Sequence, residues 1–146
     1  MTSGSEPPLY IDANILIYAL ESPDELGARA RERMARLDRH EISGVTSELT
    51  LAEVLPYPIG RGDREQVEAY ETLLTKGEGL TVLPVDRATL RLAGELRASH
   101  RLHLPDAIHV ATALRGGCSA ILTNDDRMSV PDALETILLF QGSPTR

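Results

Sequence analysis

Four acidic residues stand where a carboxylate could do chemistry. Asp12 lies in LYIDANILIYAL, residues 9–20, an almost wholly apolar stretch that also carries one amide, Asn14. A charge in so apolar a setting is costly unless something pairs with it. Glu53 sits between Ala52 and Val54 in SELTLAEVL, Asp106 opens the run LPDAIHVATAL, and Asp125 follows the short apolar segment at 119–122. Each also has an ordinary reading. Asp12 can assist Asn14 in capping a helix, helical glutamates mostly face solvent, Asp106 complements a helix dipole, and Asn-Asp runs make turns. As a set, carboxylates with no paired-histidine motif and a single cysteine in the chain suit hard, oxygen-preferring cations, Mg2+ or Mn2+. Such ions act on phosphates by neutralising charge, generating a hydroxide nucleophile and stabilising the leaving oxygen. Without a cation the carboxylates would repel one another and some of their pKa values would rise. His109, one turn after Asp106, reads as a packed or hydrogen-bonded histidine rather than a ligand.

The elements that position these residues alternate in type. Residues 9–11 suit a strand buried on both faces, which leaves Asp12 at its carboxyl end and Asn14 as the N-cap of a helix starting at Ile15. Ser22-Pro23-Asp24-Glu25 reads as a capping box with proline in the first helical position. The helix it opens runs to about Leu37, with Leu26, Ala30, Met34 and Leu37 inward and Arg29, Arg31, Arg33, Arg36 and Arg39 on a face for solvent, RNA or a partner. Residues 42–45 form a second strand. Thr46 and Ser47 then cap a helix that Pro56 and Pro58 stop, and Glu53 leans back over the strand ends. Residues 58–62 read as a turn, and 63–76 as a helix capped by Asp63 and closed by Gly77. A strand at 80–85, a helix at 87–99 capped by Asp86, a helix at 104–114 rich in small residues, and strands at 119–122 and 136–140 complete the chain. This alternation predicts a parallel sheet with helices on both faces. In open α/β sheets the ligand crevice lies at the carboxyl ends of the strands, and all four acids fall on that edge.

Composition sets the outer bounds. At 146 residues the chain is expected to be one domain, spanning 9–141, between loose tails at 1–8 and 142–146. Hydrophobic residues at 42% and charged residues at 25% are ordinary for a globular protein. No run approaches the roughly 20 apolar residues of a membrane span, and the N-terminus lacks the pattern of a secretory signal. The lone Cys118 excludes an internal disulfide and a cysteine-rich metal site, and it suits the cytoplasm. The net charge of -7 argues against a generic nucleic-acid binder. Two features moderate that. Lysine occurs once, at Lys76, so the positive charge is almost all arginine, the better reader of phosphate, and part of the negative charge belongs to the acid set. There is no Walker loop and no GxGxxG, which leaves nucleotide binding of those kinds unsupported.

Four pieces of sequence, YIDANILIY at 10–18, SELTLAEVL at 47–55, LPDAIHVATAL at 104–114 and ILTNDDRM at 121–128, together resemble the PIN-domain ribonucleases, and within them the VapC-type toxins of toxin–antitoxin pairs. The pieces appear in family order and span nearly the whole chain. The resemblance implies a three-layer α/β/α sandwich around a parallel sheet of about five strands. It also implies endonucleolytic cleavage of RNA dependent on Mg2+ or Mn2+, with Asp12, Glu53, Asp106 and Asp125 as the metal-binding acids and Asn14 and Thr123 as polar supports. A homodimer and a small antitoxin that blocks the cleft belong to the same pattern. The chain departs from that pattern in two places. Asp126 adjoins Asp125, so either could face the ion, and Met128 stands where the family often has an aromatic residue. A non-catalytic interaction module of the same fold, or a housekeeping RNA-processing nuclease without an antitoxin, are the alternatives.

Overall fold

Tyr10 and Ile11, in the first strand β1 (Leu9–Ile11), are both fully buried, and they face opposite ways, as a period-two strand requires. Tyr10 joins one hydrophobic cluster and Ile11 the other. In the computed structural model, which describes residues 6–140, β1 is the central strand of five. It lies between β2 (Gly44–Ser47) and β4 (Ala120–Thr123), with β3 (Leu80–Leu83) and β5 (Glu135–Leu138) at the edges, in the order β3-β2-β1-β4-β5. Every pairing is parallel, with Leu9 opposite both Gly44 and Ala120. Of the loose tails expected at 1–8 and 142–146, residues 1–5 and 142–146 lie outside the described residues.

Helices cover both faces. On the Ile11 and Leu122 side pack α1 (Ala13–Glu21), α2 (Glu25–Asp38), α3 (Leu49–Val54) and α5 (Arg64–Lys76), through Leu16, Ala30, Val54 and Tyr70 among others. On the Tyr10 and Ile121 side lie α6 (Arg87–Ser99) and α7 (Leu104–Arg115), where Ala107, Ala111 and Ala113 are buried and allow close approach. A short helix, α4 (Pro56–Gly60), links α3 to α5. This is the three-layer α/β/α sandwich expected. The chain builds β1, β2 and β3 outward to one side, then returns to place β4 and β5 on the other. The order therefore reverses between β1 and β4, the position where such sheets hold ligands.

Several local expectations need correction. The helix after β1 starts at Ala13, with Asp12 itself in the N-cap position, so Asn14 lies inside the first turn, exposed, and caps nothing. The capping box at Ser22 does not form. Asp24 captures the Gly27 N–H at 3.2 Å, and the helix begins after Pro23. The second strand is 44–47 rather than 42–45, and buried Thr46 donates its hydroxyl to the Ile11 carbonyl at 2.9 Å. Pro56 does not merely stop a helix. It opens α4, where its missing N–H costs nothing, so 58–60 is helical rather than a turn. The third, fourth and fifth strands are also shifted or shortened, to 80–83, 120–123 and 135–138.

The caps at Asp63 and Asp86 form as expected, accepting from Gln66 N–H at 3.1 Å and Thr89 N–H at 2.9 Å. The arginines of α2 are largely engaged locally. Arg29 and Arg36 pair with Glu25 and Glu32 one turn away, and Arg31 donates to the carbonyls of Ala19 and Ser22.

Gly79, just before β3, has a φ of 73°, and a Cβ there would come within 2.3 Å of the Leu37 carbonyl oxygen. Gly79→Ala is therefore expected to cost about 1–3 kcal/mol in urea unfolding; an unchanged midpoint would contradict this packing.

Candidate active site

The strand–helix junction after β1 leaves Asp12 little choice of surroundings. Its backbone N–H continues the sheet by donating to the Leu122 carbonyl at 3.0 Å, and its residue surface is only 7% exposed. A buried carboxylate needs a donor. Thr123, the fully buried last residue of β4, supplies one: its Oγ1–H donates to Asp12 Oδ2 at 2.6 Å. The same Thr123 oxygen accepts the Asp125 N–H at 3.1 Å, so one hydroxyl ties the β1 acid to the loop leaving β4. Asn124 secures that loop from the other side by accepting the Phe140 N–H at 3.3 Å.

The other acids gather around this junction. Burial pushes the Asp12 carboxyl up from its ordinary value, with the Glu53 carboxylate adding to the push, while the Thr123 hydrogen bond and His109 hold it back. Asp106, half-buried in the first turn of α7, is also pushed up, first by burial and then by the carboxylates of Asp12 and Asp125, which outweigh His109 and His103. Asp125 accepts from Arg127 N–H at 3.0 Å. Of the adjacent pair, Asp125 is the one whose charge is felt at Asp106, whereas Asp126 is exposed. Met128 packs against the core on the α6–α7 side.

The Glu53 charge thus reaches Asp12, and the charges of Asp12 and Asp125 reach Asp106, with Thr123 in direct support of Asp12. Asn14 and Asp126 are exposed, although the Asn14 backbone N–H is among the groups that hold the Asp12 carboxyl down. Among the described residues, no three His, Cys, Asp or Glu side chains are grouped as a metal-ion site requires. Glu53 is hydrogen-bonded to His109, and Asp125 accepts the backbone N–H of Arg127. The donors are nonetheless all oxygens of the type a hard cation takes, and the carboxyls of Asp12 and Asp106 are raised by burial first and by neighbouring carboxylates second.

His109 is packed and hydrogen-bonded, as expected, whereas the place of Tyr10 in the site was not expected. His109 Nε2 lies 2.6 Å from Glu53 Oε1, and its Nδ1 lies 2.5 Å from the Tyr10 hydroxyl. The signal available was a histidine on an otherwise apolar helix face, and a tyrosine in a strand buried on both sides.

Residues 9–134 match the PIN domain family, and the chain belongs to it. Its fold is similar to that of several solved structures. The DNA-bound VapBC of Salmonella typhimurium is 20% identical with a TM-score of 0.70, the likeness covering 92% of this chain and 99% of that one. A toxin–antitoxin complex from Klebsiella pneumoniae is 21% identical with a TM-score of 0.66, covering 92% and 98%. The sarcin–ricin loop cleaving toxin VapC20 of Mycobacterium tuberculosis is 16% identical with a TM-score of 0.63, covering 77% and 86%. No curated protein matches in sequence.

The raised Asp12 carboxyl has a thermodynamic consequence. A folded state that holds a proton more tightly than the unfolded chain loses stability as pH rises, from the ordinary value of 3.8 up through the folded value. In metal-free buffer, Asp12→Asn is therefore expected to be at least as stable as wild type at pH 7 and to flatten the decline above pH 4. Thr123→Val removes the donor and should cost about 1–3 kcal/mol at neutral pH in the same unfolding assay. A wild type whose stability climbs steadily over this range would contradict the burial of Asp12.

Proposed function

We propose that the chain is an endoribonuclease dependent on Mg2+ or Mn2+ and that it acts as the toxin of a toxin–antitoxin pair. The observation that carries this reading is the buried Asp12 carboxylate at the β1–β4 switch, on which the Glu53 charge bears and whose own charge, with that of Asp125, bears on Asp106. The PIN family membership supports it, as does the likeness in fold to VapBC complexes and to a toxin described as cleaving the sarcin–ricin loop. Asp12, Glu53, Asp106 and Asp125 would hold the cation, which when bound would neutralise phosphate charge and make a water nucleophilic near neutral pH. Thr123 keeps Asp12 Oδ2 fixed, so that no rotamer search precedes binding. Asp125 joins the same hydroxyl through its backbone, which couples the loop after β4 to the first acid.

Partners follow from the same reading. An RNA chain needs positive charge beside the acids, and residues 96–105 carry Arg97, His100, Arg101 and His103 with no acid among them, immediately before Asp106. A small antitoxin would cover the acidic edge with a basic side chain, and the chain would act as a homodimer in the cytoplasm. Among the described residues no helix is long and apolar enough to cross a membrane. One observation favours a second reading, a non-catalytic interaction module: the carboxylates are not drawn together into a cage.

Induced expression in a bacterial host tests the choice. Wild type is expected to stop growth and cut RNA, and Asp12→Asn to do neither while staying folded. Undiminished cleavage by Asp12→Asn would refute the site. In the Asp12→Asn background, Arg101→Ala should weaken binding of single-stranded RNA and reduce its salt slope by about one; an unaltered slope would remove Arg101 from the RNA path.

A further inference from the structure

His109 is 2% exposed, in the stretch of α7 from Ala107 to Ala113 that is buried all round, and it reaches Tyr10 of β1. A histidine buried there must find partners for both ring nitrogens, and it has them. Glu53 Oε1 is 2.6 Å from Nε2, and the Tyr10 hydroxyl is 2.5 Å from Nδ1, with the two rings edge to face at 5.7 Å. A carboxylate can only accept, so Nε2 carries a hydrogen directed at Glu53. Burial keeps the Tyr10 hydroxyl protonated, and a neutral imidazole with its hydrogen on Nε2 accepts that hydroxyl's hydrogen at Nδ1. The order is therefore Tyr10 O–H to Nδ1, then Nε2–H to Glu53, and the partner on one nitrogen sets the tautomer presented by the other.

We propose that His109, set in its Nε2–H tautomer by Tyr10, is a positioning residue that anchors the Glu53 carboxylate at the acidic edge. The proposal rests on the reading of Glu53 as one of the cation-binding acids. Glu53 needs such an anchor. It stands on a helix of six residues, its side chain is 31% exposed, and it reaches the edge through three rotatable bonds. The bond to His109 fixes Oε1 and leaves Oε2 open to a ligand. Partners of this kind behind ligating carboxylates are typically worth about 10- to 100-fold in metal affinity or activity.

The test compares wild type, Tyr10→Phe, His109→Gln and His109→Leu. Folding is checked by circular dichroism, ring nitrogens by 15N NMR, metal affinity by titration with Mn2+ alone, and kcat and KM on a single-stranded oligoribonucleotide. Wild type is expected to show the Nε2–H tautomer. His109→Leu should lose about 10- to 100-fold in Mn2+ affinity and in kcat, with KM for RNA little moved. His109→Gln, which can still donate to Glu53, should recover part of the loss. A folded His109→Leu chain with wild-type Mn2+ affinity and kcat overturns the proposal, as does an Nδ1–H tautomer in wild type. Should His109→Leu fail to fold, Tyr10→Phe decides, because it removes one hydroxyl: the tautomer should lose its fixity and Mn2+ affinity should fall, and unchanged affinity overturns the proposal. A wild-type chain that binds no Mn2+ and cuts no RNA overturns the metal reading and, with it, this role. The NMR tautomer distinguishes that failure from a failure of His109 to hold Glu53.

Discussion

The arrangement depends on a carboxylate that the fold buries and then satisfies. Asp12 is almost out of solvent at the end of the central strand, and the hydroxyl of Thr123 donates to it from the neighbouring strand. That bond exists because β1 and β4 run parallel and in register, Ile11 beside Leu122, so both strands end at the same level. Parallel pairing in turn requires crossovers, and the helices that make them cover both faces and leave the strands apolar on both sides. The result is a buried polar pair, Asp12 and Thr123, at the rim of the sheet. Burial that raises the Asp12 carboxyl also makes it a group whose charge is worth most when a cation answers it.

The second level of organisation joins the two helical layers across that rim. Glu53 belongs to α3, whose Val54 packs on the α1–α2 side, whereas His109 and Tyr10 belong to the α6–α7 side. The His109–Glu53 hydrogen bond therefore spans the carboxyl edge of the sheet and links the opposite layers beside Asp12. Asp106 approaches from the same helix as His109, one turn earlier, and Asp125 from the loop that Thr123 and Asn124 tie down. Each acid thus arrives on a separate element. The sheet edge, rather than any single motif, holds the set together.

Much of this was legible in the sequence because it is local. The apolar run at 9–11, the caps at Asp63 and Asp86, the helix at 87–99 and the small residues of α7 each follow from periodicity or from one side chain reaching a nearby N–H. The four acids could be assigned to one edge because strand ends in a parallel sheet share a level. Errors arose where two local solutions compete. Asn14 and Ser22 are good N-caps by type, but the chain turns directly from β1 into α1 at Asp12, and Asp24 wins the cap from Ser22. Pro56 reads as a stop, yet it serves equally at a helix start. That His109 is packed and hydrogen-bonded was legible, but the identity of its partners was not. Its partners lie 99 and 56 residues away, and tertiary packing alone brings them together.

Soaking crystals with Mn2+ and collecting anomalous diffraction at the manganese edge would test the acid set most directly. The expected difference map has its strongest peak between the carboxylates of Asp12, Glu53, Asp106 and Asp125, with Glu53 Oε1 still bonded to His109. A map with no peak at the carboxyl ends of β1 and β4, or with manganese bound only elsewhere on the surface, would contradict the assignment of this edge as the catalytic centre.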